Sequence, residues 1–227
     1  TFTGWKLAHR NADFTLNVDK VLEAIAEVKP SMVLLTSPNN PTGPPLPMED
    51  IERILAACET AEVVGAGEGV HPILVIDEAY VEFRKPGTPS AVSLIKDHPN
   101  LAVSRTMSKA FAFAGARVGY LAASKGIIDC VRIVRMPYHL SAVTQAAALA
   151  AFEHTDEQLS RVEHLRETRE ATAAWLKEQT YTSGPKAGQK VYTPLVAFTL
   201  MIFILLYFPC IATITAIGRE SGSWRWA

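Results

Sequence analysis

The sequence lacks any run of basic residues. Its 22 Lys and Arg stand against 23 Asp and Glu, a net charge of −1 over 227 residues. No basic stripe appears, which argues against a nucleic-acid partner held by electrostatics. Cysteine is scarce too: Cys58, Cys130 and Cys210 are odd in number and far apart. That spacing excludes a disulfide framework and a zinc site, so a reducing cytoplasm is the expected setting. His9, His71, His98, His154 and His164 follow no metal spacing and read as surface or loop residues. Internal repeats and low-complexity tracts are absent as well. The amino terminus, Thr1-Phe-Thr-Gly-Trp5, has neither an initiator Met nor a signal peptide and reads as an interior cut.

Charge itself is missing from one long stretch, Val191 to Gly218, whereas residues 1–190 carry it regularly. The stretch exceeds the roughly 20 residues that a helix needs to cross a bilayer. Lys190 and Arg219 flank it, and Tyr192, Tyr207, Trp224 and Trp226 add aromatics. A transmembrane helix is the expectation here, kinked at Pro209. Basic residues on both sides leave its orientation open.

What is present begins with short apolar runs that alternate with amphipathic segments. Met32-Val-Leu-Leu35 reads as a buried strand that ends at the breaker cluster Ser37-Pro-Asn-Asn-Pro-Thr-Gly43. Ile51, Ile54, Leu55 and Cys58 fall on one face of a helix. Ile73–Ile76 and Leu101–Val103 are further strands, and Gly119–Ala122 a fourth; helices follow over 142–153 and 156–178. This rhythm predicts an α/β fold, a mostly parallel sheet with flanking helices.

Three polar clusters each follow an apolar strand, and in a parallel sheet the carboxyl ends of the strands line one crevice. Asp77 and Glu78 are adjacent, so a strand points them to opposite faces and they make a poor acid/base pair. The residue types match a pyridoxal phosphate (PLP) site. Such a site needs a lysine amine for the aldehyde, an acid for the pyridine nitrogen, and hydroxyls with an arginine for the phosphate.

The wording of these clusters carries a resemblance. Ser-Pro-Asn-Asn-Pro-Thr-Gly at 37–43, Val-Ile-Asp-Glu-Ala-Tyr at 75–80 and Ser-Arg-Thr-Met-Ser-Lys-Ala-Phe-Ala-Phe-Ala-Gly-Ala-Arg at 104–117 resemble the signature segments of fold-type-I aminotransferases. With Ala12–Leu16 and Pro137–Ser141, they are most similar to the histidinol-phosphate aminotransferase family over about residues 1–180. The resemblance implies that Lys109 is the Schiff-base lysine and the base for the substrate's α-proton. It implies that Asp77 pairs with the pyridine nitrogen, and that Tyr80 and Asn40 donate to the ring's 3-oxygen. Thr106, Ser108 and Arg117 would bind the cofactor phosphate. His139 receives no chemical role.

Residues 192–198, 206–213 and 219–227 resemble the last transmembrane part of ferrous iron transport protein B, with Cys210 in its Pro-Cys element. The expected organisation is therefore a composite. Residues 1–180 form a partial PLP-transferase large domain, 181–190 a linker, and 191–227 a hydrophobic tail associated with a membrane through 191–218. The implied reaction is transamination of histidinol phosphate with 2-oxoglutarate or glutamate, in a family of homodimers. The chain by itself is expected to turn over little substrate. Two alternatives stay open: another fold-type-I aminotransferase, or a membrane protein fragment related to the iron transporter.

Overall fold

The computed structural model describes residues 6–180, 185–191 and 193. The chain divides into two units, residues 1–164 and 165–227. The first holds a four-stranded sheet in the order β1 (Met32–Thr36), β2 (Ile73–Asp77), β3 (Leu101–Thr106) and β4 (Gly119–Ala123). β1, β2 and β3 run parallel, and β4 returns antiparallel beside β3. The sheet is mostly parallel, as expected, and becomes mixed through the single antiparallel strand at its β4 edge. The loop from Met107 to Val118 closes on itself, the Met107 amide donating to the Val118 carbonyl at 3.1 Å, and so brings β4 back antiparallel beside β3.

One face of the sheet makes the main core. Val33 and Leu35, Leu74 and Ile76, and Leu101 and Val103 alternate along the parallel strands onto this face, where the helices α1 (Val18–Val28) and α2 (Met48–Thr60) pack. α1 starts at Asn17, whose side chain accepts from the Lys20 amide at 3.1 Å, and buries Val18, Val21 and Ile25. α2 buries Ile51, Ile54, Leu55 and Cys58, the stripe expected from their spacing. Burial pushes the Cys58 thiol up to about 11, with the neighbouring Glu59 charge adding to the effect, so it packs as an apolar side chain. Arg53 on α2 pairs with Asp19 on α1 at 2.6 Å across an exposed rim.

Met107, Ala110, Phe111, Val118, Ala148 and Val162 form a second buried cluster. It gathers the loop after β3 together with α4 (Ala142–Glu153) and the start of α5 (Thr155–Glu178), and Phe111 meets Phe152 edge to face at 5.4 Å. α3 (Lys125–Val134) buries none of its residues. In the second unit Thr180 and Lys190 form an isolated antiparallel bridge. Among the described residues, no helix is long and apolar enough to cross a membrane. The span expected at 191–218 lies outside them, apart from Val191 and Thr193.

Gly119 has a single steric reason to be glycine. A Cβ there would lie 2.6 Å from the Arg105 carbonyl oxygen, because the start of β4 is pressed against the end of β3. Gly119→Ala should therefore destabilise the first unit by roughly 1–3 kcal/mol, the usual cost of overpacking. Thermal or urea unfolding of the two chains checks this. An unchanged midpoint would mean that β4 has room to move away.

Candidate functional site

The matched register of the parallel strands sets Thr36, Asp77 and Ser104 side by side at their carboxyl ends, on the face opposite α1 and α2. Thr106 points to the same face two residues further along β3. Asp77 is half-buried. Its Oδ1 accepts from the Ala79 amide at 3.1 Å and from Ser104 Oγ at 3.2 Å, which fixes the carboxylate and leaves Oδ2 without a donor among the described residues.

The turn after β1 and the turn after β2 meet at this edge. Thr36 Oγ1 bonds the Asn39 side chain, and Asn39 Nδ2 donates to Thr42 Oγ1 at 2.6 Å, so side chains hold the turn closed. The next residue, Asn40, donates from Nδ2 to the Tyr80 hydroxyl at 2.7 Å, across forty positions of sequence. Lys109 Nζ lies over the Tyr80 ring, 5.3 Å from its centroid. At an exposed site such a cation–π contact contributes about 0.5–1 kcal/mol. Asn40, Tyr80 and Lys109, picked out separately in the sequence, thus form one connected group.

Lys109 is presented by a loop whose neighbours are buried. Met107 is fully buried, with Ala110 and Phe111 in the same cluster, whereas Lys109 is exposed. Thr106 Oγ1 and Ser108 Oγ are 2.7 Å apart, and the Ser108 amide donates to Thr106 Oγ1 at 3.1 Å. Arg117 closes a single turn of 3-10 helix, Ala114–Ala116, with φ 55° and ψ 46°. A non-glycine residue in that left-handed region costs roughly 1–2 kcal/mol, strain of the kind that collects at functional sites. Its guanidinium is exposed and reaches the Ala114 carbonyl at 3.4 Å, not the hydroxyls of Thr106 and Ser108.

One cluster escaped the sequence reading. Glu78, with 2% of its surface exposed, accepts four hydrogen bonds. Oε2 takes Arg105 Nε at 3.0 Å, Arg105 Nη2 at 2.8 Å and Ser90 Oγ at 2.7 Å, while Oε1 takes the Ala91 amide at 2.8 Å. Arg105 is held above the ordinary arginine range: burial works against its charge, but hydrogen bonds with Tyr120 and Glu78 outweigh it. Removing one partner of such a buried pair costs about 3–5 kcal/mol. The opposite-faces reading of Asp77 and Glu78 holds, since Asp77 bonds Ser104 and Glu78 bonds Arg105, two adjacent residues of β3. Alternation along β3 was the signal available for Arg105, but its partner follows only from the register.

The model of the family aminotransferase class I and II matches residues 4–202. The chain is 97% identical over 185 residues to histidinol-phosphate aminotransferase of Bifidobacterium longum (strain NCC 2705), covering 82% of this chain and 48% of that one. It is 78% identical over 198 residues to histidinol-phosphate aminotransferase of Bifidobacterium adolescentis, covering 87% and 51%. Among solved structures, histidinol-phosphate aminotransferase from Sinorhizobium meliloti in complex with pyridoxal-5'-phosphate matches with a TM-score of 0.57 and 29% identity, over 67% of this chain and 38% of that one. The chain spans about half the length of the curated relatives it matches. Because the family match takes in the turn at 37–43, the strand end at Asp77 and the lysine loop, the chain belongs to the class I and II aminotransferases.

Proposed function

We propose that this chain serves pyridoxal-phosphate-dependent transamination of histidinol phosphate with 2-oxoglutarate. The observation that carries the reading is the connected group Asn40–Tyr80–Lys109 beside Asp77 at the carboxyl edge of the sheet. High identity to proteins named histidinol-phosphate aminotransferase supports the choice of substrate.

The donor set fits the cofactor. Asp77 Oδ2 has no donor among the described residues and is suited to accept from a protonated pyridine nitrogen, while the two bonds on Oδ1 keep the carboxylate in place. The Tyr80 hydroxyl accepts from Asn40, which leaves its own O–H to donate to the ring's 3-oxygen. Thr106 and Ser108 present two hydroxyls side by side for a phosphate, and Arg117 adds the cation once it leaves the long bond to Ala114. When bound, PLP supplies an aldehyde and a ring that takes up electrons. Lys109 would hold that aldehyde by its amine, and the same amine would move the proton at the substrate's α-carbon.

A chain incubated with PLP and then reduced with borohydride should carry the label on the peptide containing Lys109, and a Lys109→Ala chain should carry none there. Turnover by this chain alone should stay small, but in a single-turnover reaction with the cofactor in place histidinol phosphate should still react faster than histidinol, by about tenfold or more, since a phosphate offers charge-assisted bonds that an alcohol does not. An unlabelled Lys109 would defeat the cofactor reading. Equal rates for the two donors would leave an aminotransferase of another specificity.

The charge-free run favours one further reading for the tail, membrane attachment through 191–218, as its resemblance to ferrous iron transport protein B implies. The expressed chain should then partition into detergent and lose that behaviour on deletion of 191–227. Recovery of the intact chain as a soluble, monodisperse protein would sink it.

A further inference from the structure

The cluster of Glu78, Arg105 and Ser90 touches no residue assigned to the cofactor, yet it is threaded through both segments that hold those residues. Glu78 sits between Asp77 and Tyr80, and Arg105 between Ser104 and Thr106. The Glu78 amide also donates to the Ser104 carbonyl at 2.9 Å, so main chain and side chain tie the two strand ends at the same place. From the far face of the sheet, the bonds of Arg105 and Ser90 to Glu78 fix where β2 ends relative to β3.

We propose that Glu78 and Arg105 are positioning residues that set the spacing between the two anchors of the cofactor, Asp77 for its ring and Thr106 with Ser108 for its phosphate. The inference rests on the PLP reading above. Its physical content is a chelate effect: a ligand that spans both anchors gains from their fixed separation, and a ligand that engages one anchor does not. A carboxylate with four donors in a site shielded from water suits this purpose, because its geometry is over-determined and does not relax. The pair also keeps this rigidity without placing a charge near the ring or the phosphate, since it lies on the other face.

The test compares three ligands on the full chain: PLP, pyridoxal without its phosphate, and inorganic phosphate. In Arg105→Lys, which keeps the charge but loses the two-point hold on Glu78, the dissociation constant for PLP should rise about tenfold or more. Those for pyridoxal and for inorganic phosphate should stay within about twofold, as expected for anchors that no longer act together. Glu78→Gln should behave alike. Should either variant fail to fold, the double variant Glu78→Gln/Arg105→Gln removes the buried charges together, and the same pattern is expected of it. A parallel loss for all three ligands, or an unchanged PLP constant, overturns the proposal. A wild-type chain that takes up no PLP overturns the cofactor reading and this inference with it, whereas normal uptake by wild type and variants alike overturns this inference alone.

Discussion

Register between the three parallel strands is the constraint on which the rest depends. Thr36, Asp77 and Ser104 are partners across β1, β2 and β3, and their neighbours Leu35, Ile76 and Val103 are partners on the opposite face. Because side chains alternate with a period of two, a slip of one residue in any strand would carry a carboxylate or hydroxyl into the core and a Leu or Ile out of it. The packing of Leu35, Ile76 and Val103 against α1 and α2 forbids that slip. Fully burying such a side chain contributes about 1.5–3 kcal/mol. Stability on one face thereby fixes the placement of the polar groups on the other.

The same alternation explains why a charged pair is tolerated at the edge of the core. Glu78 follows Asp77 in the chain and so must turn toward the buried face, where an unpaired carboxylate would be expensive. Arg105 meets it because Ser104 is the partner of Asp77 and Arg105 comes next on β3. Ser90 and the Ala91 amide, at the start of a 3-10 turn over Ala91–Leu94, complete the set of donors. Conversely, Gly119 lets β4 approach Arg105 and Thr106 closely enough to bring Tyr120 opposite Arg105. A polar network of this kind is stable only when complete.

Much of this was legible in the sequence because apolar runs announce strands. Met32–Leu35, Ile73–Ile76, Leu101–Val103 and Gly119–Ala122 all lie inside observed strands, and the helices expected over 142–153 and 156–178 are α4 and most of α5. The strand ends were less visible. β3 runs on through Ser104, Arg105 and Thr106, polar residues that hydropathy assigns to a loop although their backbone stays in the ladder. α1 and α3 were not picked out. α1 is nonetheless capped by Asn17 and buries an ordinary stripe, whereas α3 carries an apolar stripe at helical spacing, Ile127, Ile128, Val131 and Val134, but buries none of it. Among the site residues, Asn40, Tyr80 and Lys109 were each named from the motifs, but neither their connection nor the engagement of Arg117 with Ala114 was legible. A guanidinium on a long side chain is placed by whatever acceptor lies within reach, and sequence spacing does not specify which.

The lysine loop shows how an exposed residue can still be held for chemistry. From Met107 to Val118 the chain is pinned at both ends, since the Met107 amide donates to the Val118 carbonyl at 3.1 Å and both side chains are buried. Inside that bracket Ala112 donates to the Lys109 carbonyl at 3.0 Å and Phe113 to the Met107 carbonyl at 3.1 Å. Ala112 and Arg117 both take positive φ, at 51° and 55°, conformations that disfavour non-glycine residues and persist where surrounding contacts over-determine them. Here the contacts are the buried flanks, Met107, Phe111 and Val118. The strain therefore falls on the backbone of the loop while its anchors stay in relaxed, well-packed positions. Lys109 sits one residue before the buried Ala110 and two after the buried Met107, so its backbone has little freedom even though its side chain faces solvent. That combination, a fixed Cα and an exposed amine above the Tyr80 ring, suits the role proposed for Lys109, which asks one group both to hold a ligand and to move a proton.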